Sequence, residues 1–222
     1  MQPIAANLAM DAVNYKMAIN PTLLKTIQSF NFSSLSAQRK IVLDELIESL
    51  IERKEAQQLL FVCTHNSRRS QMAQVWAQLA NSYFNTEWQS FSGGTEVTAF
   101  NINAINALQT LGFQITKGDQ TENPQFDIQY DTFNNSLKFF SKKYTDHPNP
   151  SKNFIAIMNC SDAEANCPLV RGAEAIFALK YDDPKIFDNT TEVQQKYIET
   201  ARTIGCEIFY IFKNIAALSK QS

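Results

Sequence analysis

Residues 59–74 read LLFVCTHNSRRSQMAQ. The apolar run Leu59–Val62 ends at Cys63, five residues follow, and Arg69 and Ser70 then open a helix-like pattern. This is a strand, a tight loop and a helix start, with a thiol at one end of the loop and a guanidinium at the other. Such a loop can wrap a tetrahedral oxyanion, because its backbone N–H groups point inward and the helix N-terminus adds positive potential. An arginine grips two oxygens in a bidentate fork. The same field favours the thiolate at Cys63, the form in which a cysteine is nucleophilic. A lone Cys ending a buried strand is ordinarily a small core residue. C-x5-R-S between a strand and a helix, with Asn66 and Ser67 inside the loop, points to an oxyanion site instead. The candidate anion-binding residues are Thr64, His65, Asn66, Ser67, Arg68, Arg69 and Ser70.

Upstream of this loop, residues 1–20 have no strong period and read as a loose or partly helical arm. Pro21–Phe30 reads as a short helix. Ser36–Lys54 reads as a stronger one, with Ile41, Val42, Leu43, Leu46, Ile47, Leu50 and Ile51 on one broad face. Residues 1–56 are thus expected to be an N-terminal helical extension. It is too small to bury much alone, so it must pack on the following domain or on a second copy of the chain, as a homodimer.

Downstream, residues 57–222 read as one catalytic domain. Strand one is Leu59–Val62 and the first helix Arg68–Asn81. Strand two, Glu87–Ser92, leads into the turn Ser92-Gly93-Gly94-Thr95. Asn101–Leu111 is a helix stopped by Gly112. Phe154–Met158 and Ala175–Leu179 are strands three and four, and Glu192–Leu218 is a long helix. Strands alternating with helices predict an α/β fold: a four-stranded parallel sheet flanked by helices on both faces. Ligands of such sheets sit beyond the C-terminal strand ends, where Cys63, Cys160 and Asp183 fall. The segment from about 118 to 150 is an insertion rich in aromatics. A helix over Ser136–Tyr144 and a turn at His147–Pro150 are expected there, packed on the domain rather than serving as a lid or docking surface.

The 222 residues are 44% hydrophobic and 19% charged, with a net charge of −2. That balance suits a globular domain and offers no basic field for nucleic acid or acidic membranes. No apolar run reaches the length of a membrane span, and no secretory signal is expected. Four cysteines make no disulfide scaffold in a chain of this size, which favours a reducing, cytoplasmic setting. The two histidines, His65 and His147, offer no obvious zinc ligand set.

Two further motifs follow the later strands. The third strand runs into NCSDAEANCP, in which Cys160 and Cys167 are seven positions apart. That is not zinc spacing. Beside a third thiol in an anion site, such a pair can run a disulfide relay. The fourth strand runs into YDDPKIFD, where Asp183-Pro184 puts a carboxylate in a rigid turn. Alone it is an ordinary turn former; in order with the other motifs it reads as a general acid. Cys206, in the last helical pattern, reads as core.

Together these motifs resemble the low-molecular-weight protein tyrosine phosphatase superfamily and, within it, the thioredoxin-coupled arsenate reductases. CTHNSRRSQMA is similar to the family's anion loop, SGGTE at 92–96 to its turn after strand two, CSDAEANCP to the reductases' relay loop and DDP at 182–184 to the acid loop. The resemblance implies Cys63 as nucleophile, Asn66 as loop-shaping residue, Arg69 as oxyanion grip, Ser70 as thiolate partner and Asp183 as acid. It implies Cys160 and Cys167 as the relay, with an external thiol reductant, thioredoxin, to reset it, and no metal or organic cofactor. Arg68 stands where many relatives carry a second cysteine, and Lys185 and Ile186 replace the aromatic wall of the phosphatase branch. Arsenate reduction is therefore the leading expectation. A phosphatase hydrolysing phosphate monoesters comes second, and a non-catalytic anion-binding or redox-sensing module third.

Overall fold

Polar side chains start the first two helices. In the computed structural model, which describes residues 18–53, 56–131, 136–160 and 170–218, the Asn20 side chain accepts from the Thr22 N–H at the head of α1 (Pro21–Gln28). Ser36 accepts from the Arg39 N–H at the head of α2 (Ala37–Glu52). Each bond satisfies one of the amides that a helix start leaves without a partner. Leu43, Leu46, Ile47 and Leu50 form the buried stripe of α2, the i, i+3, i+4, i+7 spacing of one helix face. Ile41, expected on that face, is 51% exposed. It lies two residues before Leu43, about 200° around the helix.

The main sheet is parallel, in the order β2-β1-β6-β7, from β1 (Gln58–Cys63), β2 (Gln89–Gly94), β6 (Phe154–Met158) and β7 (Ala173–Ala178). The period of two along the central strands divides the core. Leu59, Phe61, Ile155 and Ile157 join a large cluster with α2, α3 (Arg69–Phe84), α4 (Ile102–Thr110) and α5 (Val193–Leu218). Leu60, Val62, Phe154, Ala156 and Met158 form a second cluster with Cys63 and Cys160, against which Phe91 and Tyr144 pack. The result is a four-stranded sheet flanked by helices.

Trp76 on α3 is the hub of the helical side. Its ring meets Phe30, Phe113 and Phe209 edge to face at 5.0–5.9 Å. Gly205 on α5 lets that helix approach: a Cβ there would stand 2.6 Å from the Trp76 ring. Replacing such a buried tryptophan by alanine costs about 3–5 kcal/mol. The extension buries its apolar face on its own domain through these contacts, with Phe32 also against Tyr210 of α5.

The helix expected over Ser136–Tyr144 is a strand and an extended segment instead. β3 (Gln114–Lys117), β4 (Phe126–Gln129) and β5 (Ser136–Phe139) form an antiparallel sheet in that order. Pairing decides this: β5 lies antiparallel to β4, from Phe126 opposite Phe139 to Gln129 opposite Ser136, and β4 carries the period of two, with Phe126 and Ile128 buried while Asp127 and Gln129 are half-exposed. After β5 the chain stays extended and lies against the end of β2. The Gly94 N–H donates to the Lys142 carbonyl, and the Tyr144 N–H to the Gly94 carbonyl, each at 2.9 Å. The insertion therefore ends at the sheet edge that carries the anion loop.

Candidate active site

β1 delivers Cys63 to the C-terminal edge of the sheet, where residues 64–68 turn back into α3. Asn66 occupies the left-handed region at φ +45°, which Asn tolerates better than most non-glycine residues. Its side chain then serves three neighbours. Nδ2 donates to Ser70 Oγ at 2.9 Å, while Oδ1 accepts from the Lys142 N–H at 3.0 Å and from Gln71 Nε2 at 3.2 Å.

The loop's carbonyls are all engaged by surrounding groups. Thr64 O accepts from the Glu96 N–H at 2.8 Å, and His65 O from Ser141 Oγ at 2.8 Å. Asn66 O accepts from Gln71 Nε2 at 3.1 Å, and Ser67 O from the Asn101 N–H at 2.9 Å. With these carbonyls held by the surroundings, the loop N–H groups can serve as an anion-binding nest. Among the described residues no side chain caps α3, so its first amides are available to an anion. Gly94 makes the close approach of β2 possible: a Cβ there would meet Thr64 O at 2.6 Å and Asn66 N at 2.8 Å.

Cys63 is 4% exposed, and its Sγ lies 3.0 Å from Ser70 Oγ. Asn66 already occupies an acceptor site on Ser70, so the Ser70 hydrogen is available to the sulfur. Arg69 donates through Nη1 to the Tyr181 carbonyl at 3.0 Å and through Nη2 to Asp183 Oδ2 at 2.7 Å. Among the described residues its Nε is buried without a partner, a donor that an oxyanion can take. Asp183 Oδ1 accepts from the Lys185 N–H at 3.0 Å, capping the 3-10 turn Pro184–Phe187.

Arg68, expected among the anion ligands, turns to other partners. Its Nε donates to the Tyr197 hydroxyl at 2.8 Å and its Nη2 to Asp188 Oδ2 at 3.3 Å. Tyr197 in turn donates to Asp188 Oδ1 at 2.8 Å. Burial first, and Asp188 beside it, push the Tyr197 phenol up to about 12, so it remains a donor at neutral pH. His65 is half-exposed and faces Glu96 at 3.2 Å. Beside the loop opens a cleft of about 420 Å³ lined by His65, Arg68, Phe100, Asn101, Ile102 and Lys185, among others.

Cys160 follows β6, next to β1, and the Asn159 N–H donates to the Val62 carbonyl at 2.7 Å. Cys160 is buried, with its Sγ 3.5 Å from Thr64 Oγ1 in the anion loop. Cys167 lies outside the described residues. Cys206 is half-buried on α5, and burial pushes its thiol up. Among the described residues no group of three or more His, Cys, Asp or Glu could hold a metal ion, and no helix is long and apolar enough to cross a membrane.

Sequence reasoning missed Ser141, Lys142, Gln71, Asp188 and Tyr197. Ser141 and Lys142 act partly through main-chain groups, which residue identity does not reveal. Asp188, five residues after Asp183, carried only the signal of a second carboxylate in the same turn region.

No family model matches the chain. An arsenate reductase of Shouchella clausii (strain KSM-K16) is 30% identical over 151 residues, 68% of this chain and 91% of that protein. An arsenate reductase of Bacillus subtilis (strain 168) is 28% identical over 144 residues, 65% of this chain and 86% of that protein. Among solved structures, a low molecular weight phosphotyrosine phosphatase from Vibrio cholerae O395 superposes with a TM-score of 0.49 at 16% identity, over 74% of this chain and 98% of that one. At that score the superposition adds no argument to the sequence matches.

Proposed function

The chain belongs to the arsenate reductase family, and on that premise we propose that it reduces arsenate to arsenite through a three-cysteine relay. The Cys63 thiolate, accepting a hydrogen bond from the Ser70 hydroxyl, attacks arsenic held by the loop amides and Arg69. An arsenic–oxygen bond breaks, and Asp183 gives the departing oxygen its proton. Cys160 as thiolate then attacks Cys63 Sγ. The electron pair of the sulfur–arsenic bond stays on arsenic, which falls from As(V) to As(III) and leaves as arsenite. Cys63 and Cys160 are thereby oxidised to a disulfide. Cys167 attacks Cys160, and Cys63 leaves as thiolate. An external dithiol of the thioredoxin type reduces the Cys160–Cys167 disulfide. The residues themselves carry every step up to that reset.

The observation that carries this reading is the 3.5 Å contact between Cys160 Sγ and Thr64 Oγ1 of the anion loop. A phosphatase, which resolves its intermediate with water, needs no second thiol there. The test is one turnover with arsenate in Cys167→Ser, followed by mass analysis. A trapped Cys63–Cys160 disulfide is expected; a fully reduced protein after arsenite release would sink the relay.

One observation favours a second reading. The cleft of about 420 Å³ beside the loop has room for the leaving group of a phosphate monoester. Aryl phosphate hydrolysis that survives loss of Cys160 would support a phosphatase activity at the same site.

A further inference from the structure

Arg39 belongs to α2, in the N-terminal extension, yet its guanidinium reaches the segment that carries the site. Nε donates to Glu207 Oε1 and Nη2 to Glu207 Oε2, both at 2.7 Å, a bidentate pair with α5. Nη2 also donates to the Lys180 carbonyl at 3.1 Å, and the guanidinium lies 5.0 Å from the centre of the Tyr181 ring. Glu207 is 3% exposed, and Arg39 supplies the countercharge to its buried carboxylate. The next carbonyl along, that of Tyr181, accepts from Arg69 Nη1 at 3.0 Å, and Asp183 two residues later accepts from Arg69 Nη2. The phenol of Tyr181 stays neutral, because burial and then the Glu207 carboxylate push it well above its ordinary value. A continuous chain of contacts thus runs from the extension through Lys180 and Tyr181 to the anion-gripping arginine.

We propose that Arg39 is a positioning residue of the active site: by clamping Glu207, the Lys180 carbonyl and the Tyr181 ring, it fixes the backbone that aims Arg69 and Asp183 at the oxyanion. The proposal rests on the reading of the Cys63 loop as an oxyanion site, and it makes the extension part of the catalytic unit. Arg39 touches no substrate. Its effect passes through Tyr181, whose carbonyl gives Arg69 one of its two anchors. A helix that only covered the core would leave oxyanion affinity unchanged once the buried charge was balanced.

The test uses the full chain and inorganic phosphate, whose binding is read as protection of Cys63 from iodoacetamide, alongside thermal melting. Arg39→Met leaves Glu207 buried without its ion-pair partner and is expected to lower the melting temperature as well as phosphate affinity. The deciding variant is therefore Arg39→Met with Glu207→Gln, which removes both charges. Positioning predicts that the double variant melts close to the wild type yet binds phosphate about tenfold more weakly, within the range of ordinary coupling between positioned groups. Arg39→Lys, which keeps the charge and loses the fork, should fall between the two. Wild-type phosphate affinity in the double variant overturns the role of Arg39 while leaving the oxyanion site intact. Absence of protection in the wild type overturns both.

Discussion

Asp183 Oδ2 lies 2.7 Å from Arg69 Nη2, so the residue proposed to protonate the leaving oxygen is ion-paired with the residue proposed to grip the oxyanion. The pair joins the acid turn to the head of α3. In the proposed mechanism, an oxyanion that draws Arg69 towards itself frees Asp183 Oδ2 to take up a proton from the protonated arsenate and pass it to the departing oxygen. Asp183 keeps its place meanwhile, because Oδ1 still caps the Pro184–Phe187 turn. Asp183→Asn should preserve the fold and the phosphate site but lower the rate of the first chemical step by about 10²–10⁴-fold, the usual contribution of a positioned acid. Rapid-quench measurement of one turnover checks this, and an unchanged rate removes Asp183 from the mechanism.

Cys63→Ser should abolish arsenate reduction and aryl phosphate hydrolysis alike, since a hydroxyl is not ionised by the field of this loop. Arg69→Lys should be nearly as severe, because a point charge cannot hold both Tyr181 O and an oxyanion in a planar fork. Steady-state assays with both substrates check the pair. Turnover persisting in Cys63→Ser contradicts the assignment of the nucleophile.

Asn66→Ala should destabilise the protein by about 1–3 kcal/mol, the cost of leaving a buried partner unsatisfied. The Lys142 N–H and Gln71 Nε2 both lose the Asn66 Oδ1 acceptor. Activity should fall further than stability, because Ser70 loses the bond that directs its hydrogen to Cys63. Urea denaturation and kinetics on the same preparation separate the two effects.

Lys142 supplies a pH test of the insertion's packing. Burial lowers its ammonium from 10.5 to about 8. Between those values the unfolded chain binds more protons than the folded one, so folding stability gains from this residue as pH rises from about 8 to 10.5. Below about 8 the full penalty applies, on the order of 3 kcal/mol at most. Lys142→Met should therefore raise stability at pH 7, with the advantage shrinking towards pH 10. An advantage that does not change with pH contradicts the burial of this amine.

How far the sequence disclosed all this depends on the range of each interaction. The loop at 63–70 was legible because its parts are adjacent: strand, thiol, turn residues, arginine and helix start fall within one short window. The parallel sheet followed from strands alternating with helical segments. The strand at Ser136–Phe139 was not legible because it buries only Phe139, while the period of two lies in its partner, Phe126-Asp127-Ile128-Gln129. Arg39 and Glu207 are 168 positions apart. Nothing local distinguishes that arginine from one facing solvent, and only the packing of α2 on α5 brings it to Tyr181. Tyr197 was hidden in the same way, as one aromatic in a long amphipathic helix.

The most direct test of the central claim is arsenate turnover with a thioredoxin system, compared between the wild type and the Cys160→Ser, Cys167→Ser double variant. The relay predicts many turnovers for the wild type. In the double variant multiple-turnover reduction should stop, while aryl phosphate hydrolysis stays close to the wild-type rate. Undiminished arsenate reduction by the double variant would contradict the relay and leave the phosphatase reading ahead.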